Sequence, residues 1–183
     1  MPASVQVRFY TGASPGSASS DITGTTIRYK QADSAVQDTN NPLAMPTSGL
    51  TFSWRKSTKI NVFTTPVTSI VNLRWFMSQT PTAGISFYAR TQTTGTYIQA
   101  NSNDQSGIVG FTDTTGNQNT NNATNYTSST PLSVNAGTVL NNPNTGEGTQ
   151  VFVETQMAVS STYAGGPGVI PTPVGFTYRY TES

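Results

Sequence analysis

The sequence contains no histidine and no cysteine. Without cysteine the chain can form neither a disulfide nor a thiolate metal site, and without histidine another common zinc ligand is missing. The usual pairs of a nucleophile and a base, Ser–His and Cys–His, cannot be built either. Glycine-rich phosphate-binding motifs are absent as well. We therefore expect no metal site, no cofactor and none of the common forms of nucleophilic catalysis.

Charged residues are also scarce, at 9% of the 183 residues, whereas about 25% is typical of globular proteins. The eight carboxylates are Asp21, Asp33, Asp38, Asp104, Asp113, Glu147, Glu154 and Glu182. A glycosidase needs two carboxylates set across a scissile bond, and Glu147 with Glu154 is a conceivable pair. Carboxylates in so generic an arrangement are usually solvated, so we predict that the chain is not an enzyme.

Long apolar runs are missing too. No run approaches the roughly 20 residues of a membrane-spanning helix, and residues 1–10 lack the basic and apolar segments of a signal peptide. The net charge is only +1, and affinity for nucleic acid needs several clustered cations. Neither a membrane nor a nucleic acid is therefore an expected partner.

The few charges are unevenly placed. Residues 1–100 carry a net charge of +5 and residues 101–183 a net charge of −4. This asymmetry either favours self-association or docking on a charged lattice, or arises by chance in a charge-poor chain.

Apolar and polar residues alternate along much of the chain, which has eight Phe, eight Tyr and two Trp. A period of two is typical of strands with one buried face. The alternating segments are residues 5–10, 27–30, 51–55, 59–63, 71–76, 85–90, 151–157 and 174–180, with weaker candidates at 96–100 and 108–111. No segment has an apolar stripe of helical period. The pattern predicts one all-β domain, residues 1–183, folded as an antiparallel β-sandwich with jelly-roll connectivity.

Two segments interrupt the alternation. Residues 112–130 form a polar stretch with almost no core material, and residues 165–173 are rich in Gly and Pro. Both are predicted to be long loops. The first is interpreted either as a mobile surface loop or as an arm that orders on a neighbouring subunit.

Two groups of side chains suggest binding. Trp54 and Trp75 would suit sugar stacking if they were exposed, although their phase along the strands favours the core. Arg55, Lys56 and Lys59 lie together between two strands. They are interpreted as a solvated strand end or as a source of salt bridges to a partner.

Several stretches together resemble a known class of protein. Residues 24–42 read GTTIRYKQADSAVQDTNNP and precede FSWRK at residues 52–56, residues 69–76 read SIVNLRWF, and the chain closes with FTYRYTES. The set resembles small virion structural proteins of tailed bacteriophages. Capsid cement proteins, also called decoration proteins, with jelly-roll folds are the closest type.

The resemblance implies a homotrimer that assembles in the host cytoplasm and binds the outside of the capsid, where it holds neighbouring major capsid protein subunits together. The candidate contact residues are Arg55, Lys56, Lys59, Asp33, Asp38, Asn40, Asn41 and Pro42, the last five from an extended arm at residues 33–42. Ordinary solvated surface is the alternative interpretation of both groups. The alternative functions are a neck, tail or fibre component of the virion and, in a different class, a carbohydrate-binding module.

Overall fold

The computed structural model describes residues 4–13, 18–64, 70–93, 97, 99–102, 104, 122–140, 151–165 and 173–182. Its strands are β1 (Ser4–Thr11), β2 (Ala18–Asp21), β3 (Leu50–Phe52), β4 (Lys56–Thr64), β5 (Ile70–Met77), β6 (Ile85–Thr93), β7 (Leu132–Leu140), β8 (Val151–Ser160) and β9 (Phe176–Glu182). Two antiparallel sheets form, so the predicted all-β sandwich is confirmed. Jelly-roll connectivity stays a prediction. Within the described ranges no helix is long and apolar enough to cross a membrane.

The larger sheet has six strands and is organised around β8. Strand β6 pairs along the whole of one edge of β8, while β3 and β4 pair with successive parts of the strand. Strand β1 follows β4, and β2 forms the edge. The smaller sheet has the order β7-β5-β9. The apolar core lies between the two sheets and includes Ile60, Trp75, Phe87 and Val153, each at most 6% exposed.

Strand β8 is buried on both of its faces. Val153 faces the core, and Phe152, Glu154 and Gln156, which alternate with the core-facing side, are also at most 1% exposed. Tyr97 and Asp104 cover part of the outer face: the Tyr97 ring lies 5.2 Å from that of Phe152, and the Gln156 side chain donates to the Asp104 carbonyl at 2.8 Å. An antiparallel sheet commonly leaves one face to solvent, so polar residues of this strand lie in an interior that alternation alone does not predict.

Strand β5 carries a bulge at Asn72. This residue has a φ of 56°, and the pairing register shifts around it against both neighbouring strands. The extra residue changes which side chains face inward. Alternation over residues 71–76 would place Val71 on the same face as Leu73 and Trp75, but the structure buries Ile70 fully instead and leaves Val71 half-buried.

Seven of the eight predicted strands are present, and residues 27–30 are the exception. Their backbone pairs with no neighbouring strand. The side chains of Ile27 and Tyr29 point inward because they cover a cavity between the sheets. The weaker candidate at 96–100 is also wrong, since its described residues are irregular. Residues 108–111 lie outside the described residues. The alternation did not predict β2 and β7.

The predicted polar loop is described only from residue 122 onward. There a 3-10 turn at Ala123–Asn125 follows Asn122, whose side chain accepts a hydrogen bond from the Thr124 amide. Ala123 is fully buried, and the Tyr126 ring lies 6.4 Å from that of Trp75. This half of the loop therefore contributes to the core, contrary to the prediction. Of the Gly/Pro-rich loop, residues 166–172 lie outside the described residues.

Gly84 occupies a position that only glycine fits. Its φ is 85°, and a Cβ there would lie 2.6 Å from the Cα of Tyr163. Gly49 is a matched control, because its φ is 69° but a Cβ would meet nothing within 4 Å. We expect Gly49→Ala to lower the free energy of unfolding by about 1 kcal/mol, and Gly84→Ala to lower it by at least about 1 kcal/mol more. Urea denaturation measures both, and equal losses would contradict the steric argument.

Candidate functional site

The three cations predicted at a solvated strand end are buried. Arg55 is 3% exposed, Lys56 0% and Lys59 7%. Arg55 immediately precedes β4, and the two lysines lie on it. The interpretation as a solvated strand end is therefore wrong, because these side chains are partnered inside the chain. Whether they contact another protein stays a prediction, although their charges are used within the fold.

Arg55 belongs to an ion network on the outer face of the larger sheet. Its Nη2 lies 2.5 Å from Oδ1 of Asp104, and its backbone N–H donates to Oδ2 at 3.0 Å. Glu154 lies between two arginines: its Oε2 is 2.6 Å from Nη2 of Arg90 and 4.0 Å from Nη1 of Arg55. Burial alone would lower the pKa of Arg55, but the hydrogen bond and charge of Asp104 outweigh it and raise that pKa. Two carboxylates from residues 101–183, where the net charge is negative, thus neutralise two arginines from residues 1–100, where it is positive.

Lys59 and Lys56 lie on opposite faces of β4. The Nζ atom of Lys59 lies 5.0 Å from the ring centroid of Tyr10 and 5.5 Å from that of Phe152, which are cation–π distances. The Nζ atom of Lys56 donates to the carbonyl of Ala32 at 2.5 Å. Burial lowers the pKa of Lys56 to about 8, against an opposing effect of Asp33. The Ala32 carbonyl directly precedes the arm, so Lys56 helps to attach the arm to the sandwich.

The predicted arm, called here the contact arm (residues 33–42), is folded back on itself and fixed to the body. Oδ2 of Asp33 accepts hydrogen bonds from the Gly12 amide at 2.9 Å and from the Gln99 side chain at 3.3 Å. Lys30 is 4% exposed, and its Nζ lies 3.4 Å from Oδ2 of Asp38. The two aspartates predicted as partner contacts therefore hold the arm in place.

Asp38 also accepts hydrogen bonds from the C-terminal end of the arm. It accepts hydrogen bonds from the backbone N–H of Asn40 at 2.8 Å and from the side chain of Asn41 at 2.6 Å. These bonds, first that of Asn41 and then that of Asn40, lower the pKa of Asp38, and Lys30 adds to the effect. The Gln31 amide donates to the Asn41 carbonyl at 3.1 Å, which closes the base of the arm.

Several residues of the arm face solvent. Asn40, Asn41 and Pro42 are exposed, as the contact prediction requires. Val36 is 70% exposed, the more exposed of the two large apolar side chains found in solvent in the described part of the chain. Sequence reasoning missed Val36, because a lone valine in a polar stretch carries no signal of its own. The result is an exposed apolar side chain on a loop whose backbone is already ordered.

The remaining predicted sites are placed as follows. Of the conceivable glycosidase pair, Glu154 is 0% exposed and paired with arginine, and Glu147 lies outside the described residues. Trp75 is 1% exposed and stacks on Phe176 at 5.3 Å. Trp54 is half-buried. The Trp75 ring is therefore not exposed on the outer surface, where a sugar would stack, and this weakens the carbohydrate-binding alternative.

The described arrangement is built to present a surface. The charged side chains of the arm and of the ion network bind one another or nearby polar groups, and the exposed residues of the contact arm are uncharged. A pre-ordered loop loses less conformational entropy on binding than a flexible one. Comparison with protein-family models, with curated proteins and with solved structures gives no significant match to the chain, so no family is assigned.

Proposed function

We propose that the chain is a structural protein of a tailed-bacteriophage virion that binds the outside of the capsid and reinforces contacts between major capsid protein subunits. The observation that carries the proposal beyond the sequence resemblance is the contact arm. Its Val36 side chain, 70% exposed, lies between Asp33 and Asp38, which fix the arm to the body. Such an arm suits a protein that must bind a fixed lattice without catalysing a reaction.

A homotrimer would multiply the effect of one small contact. Three arms related by closed symmetry engage three equivalent sites, and each later contact forms at high effective concentration once the first has formed. A site that spans several capsid subunits exists only after the capsid has assembled. The proposed protein therefore binds in the host cytoplasm to assembled capsids and remains on the exterior of the virion.

The test is cosedimentation of the purified chain with assembled capsids that lack it and, separately, with unassembled major capsid protein. We expect binding to the assembled capsids only. Val36→Asp is expected to weaken that binding at least about tenfold, because a central apolar anchor commonly contributes more than 1 kcal/mol.

Leu50→Asp is the matched control. Leu50 is 46% exposed, is apolar and lies outside the contact arm, on β3. This variant is expected to bind capsids as the unaltered chain does. Equal binding to assembled and unassembled subunits would contradict the proposal. If Val36→Asp and Leu50→Asp weakened capsid binding equally, the contact arm would not be the binding surface.

A further inference from the structure

A cavity of about 650 Å³ lies between the two sheets. Thr58 and Met157 of the larger sheet line one side, and Trp75 and Tyr178 of the smaller sheet line the other. Residues 22–29, before the contact arm, and residues 42–45, which begin at the last residue of the arm, cover it. Protein interiors rarely leave voids much larger than a water molecule, whereas ligand pockets commonly measure about 300–1,000 Å³. The size of this space therefore lies within the range of small-molecule pockets.

Aromatic rings form much of its wall. Trp75 and Phe176 are stacked with their centroids 5.3 Å apart, and the Phe87 ring meets Phe176 edge-on at 5.6 Å. The Tyr29 ring packs edge-on against Phe87 at 5.2 Å. These contacts fix the rings of neighbouring elements against one another. Such a wall suits a flat apolar body.

Four of the hydroxyl groups that line the cavity, those of Tyr29, Thr58, Thr155 and Tyr178, form two hydrogen-bonded pairs. The Thr58 and Thr155 hydroxyls donate to the carbonyls of Val153 at 3.2 Å and Lys56 at 3.5 Å. The Tyr178 hydroxyl donates to the backbone carbonyl of Thr58 at 3.3 Å and lies 2.9 Å from the Thr58 hydroxyl. The Tyr29 hydroxyl lies 2.6 Å from that of Thr155, whose oxygen is left to accept.

All four hydroxyl hydrogens are therefore used within the protein, and the phenol oxygens keep lone pairs that can accept. Burial raises the pKa of both phenols, Tyr29 and Tyr178, so they stay neutral. These four hydroxyl groups thus offer a ligand hydrogen-bond acceptors rather than donors.

The lining also disfavours a charged ligand. Arg28 is the one charged residue among the described residues that line the cavity, and it is exposed. An ionised ligand group buried beside Tyr29 and Tyr178 would lose its hydration without gaining a counter-charge. The interior therefore suits an uncharged molecule.

We propose that this cavity binds a neutral, mainly apolar small molecule that donates an O–H or N–H hydrogen bond to the phenol oxygen of Tyr29 or Tyr178. The proposal does not depend on a role in the virion, since Val36, the exposed apolar residue of the contact arm, is not among the residues that line the cavity.

The test uses 2-naphthol as a probe and 2-methoxynaphthalene as its matched partner, which has the same apolar body but no donor. Isothermal titration calorimetry with the full chain near pH 7 is expected to show 2-naphthol binding about five- to tenfold more tightly, the usual value of one hydrogen bond. The anion 2-naphthoate is expected to bind more weakly than 2-naphthol.

Variants locate the site. The double variant Tyr29→Phe/Tyr178→Phe is expected to lose the preference for 2-naphthol, whereas Tyr180→Phe, a half-buried tyrosine of the same strand as Tyr178 but outside the lining, is expected to keep it. Leu43→Trp, in the covering segment, is expected to weaken both probes by occupying the space. If the double variant does not fold, each single variant is expected to reduce the preference.

Equal affinity for the two neutral probes would overturn the proposal, as would tightest binding of 2-naphthoate. Absence of binding would also overturn it. If neither probe bound and sedimentation showed self-association that Leu43→Trp abolished, the occupant would be a second copy of the chain rather than a small molecule.

Discussion

Replacing Asp104 with alanine is expected to lower the free energy of unfolding by about 3–5 kcal/mol, the usual loss when one partner of a buried ion pair is removed. The reason is that Arg55 is 3% exposed and its closest carboxylate is that of Asp104, with Nη2 of the arginine 2.5 Å from Oδ1 of the aspartate. Without that carboxylate the guanidinium stays buried, while Glu154 is 4.0 Å away and already paired with Arg90. Urea denaturation at neutral pH measures the loss.

Two comparisons make the result specific. Asp21→Ala removes an exposed carboxylate that accepts a hydrogen bond from the Thr23 amide, and it is expected to cost far less. In an Arg55→Met background, Asp104→Ala is expected to cost much less than in the unaltered chain, because no buried guanidinium is left without its partner. If the loss were the same in both backgrounds, the stabilisation would not come from the Arg55–Asp104 pair.

Raising the pH from 7 to 9.5 is expected to increase the free energy of unfolding through Lys56 by about 2 kcal/mol. The pKa of this lysine is about 8 in the folded chain, against an ordinary value of 10.5, because burial penalises the charged amine. Between these two values the unfolded chain binds more protons than the folded chain, so stability rises with pH. Below pH 8 the amine is charged in both states, and the full penalty of about 3 kcal/mol remains.

Lys56→Met removes the titrating amine and is expected to remove this rise. Arg8→Met is the control, since arginine does not titrate in this range and Lys56 is left in place. Urea denaturation should stop at pH 9.5. Above about 10 the tyrosines of the unfolded chain ionise, and the raised pKa values of buried Tyr29 and Tyr178 then make stability fall with pH. A rise retained in Lys56→Met would show that another group causes it.

Alternation predicted most of the sandwich because inward-facing residues of strands such as β6 repeat every second position: Ile85, Phe87 and Ala89 are all buried. The same rule was wrong at residues 27–30, where alternation comes from covering a cavity rather than from pairing. It did not predict β2, whose sequence, ASSD, has no apolar face. A period shows which side chains face inward, but it does not show whether a neighbouring strand is present.

The contact arm was predicted in position but not in the roles of its residues. Asp33 and Asp38 hold the arm, while the unpredicted Val36 is its exposed apolar residue. The burial of Arg55 could not be read locally, since its partner Asp104 lies 49 residues away in the sequence. Only the fold brings such pairs together.

The ion network of Arg55, Asp104, Glu154 and Arg90 has a consequence for heat. The hydration that a buried charge gives up becomes less favourable as temperature rises, so the cost of burying these groups falls, while stabilisation per unit of apolar area levels off. Only 9% of the residues are charged, and four of them lie in this one buried network. The contribution of the network to the free energy of unfolding, relative to that of apolar burial, therefore grows on warming. Their share of the remaining stability is expected to be greatest close to the melting temperature.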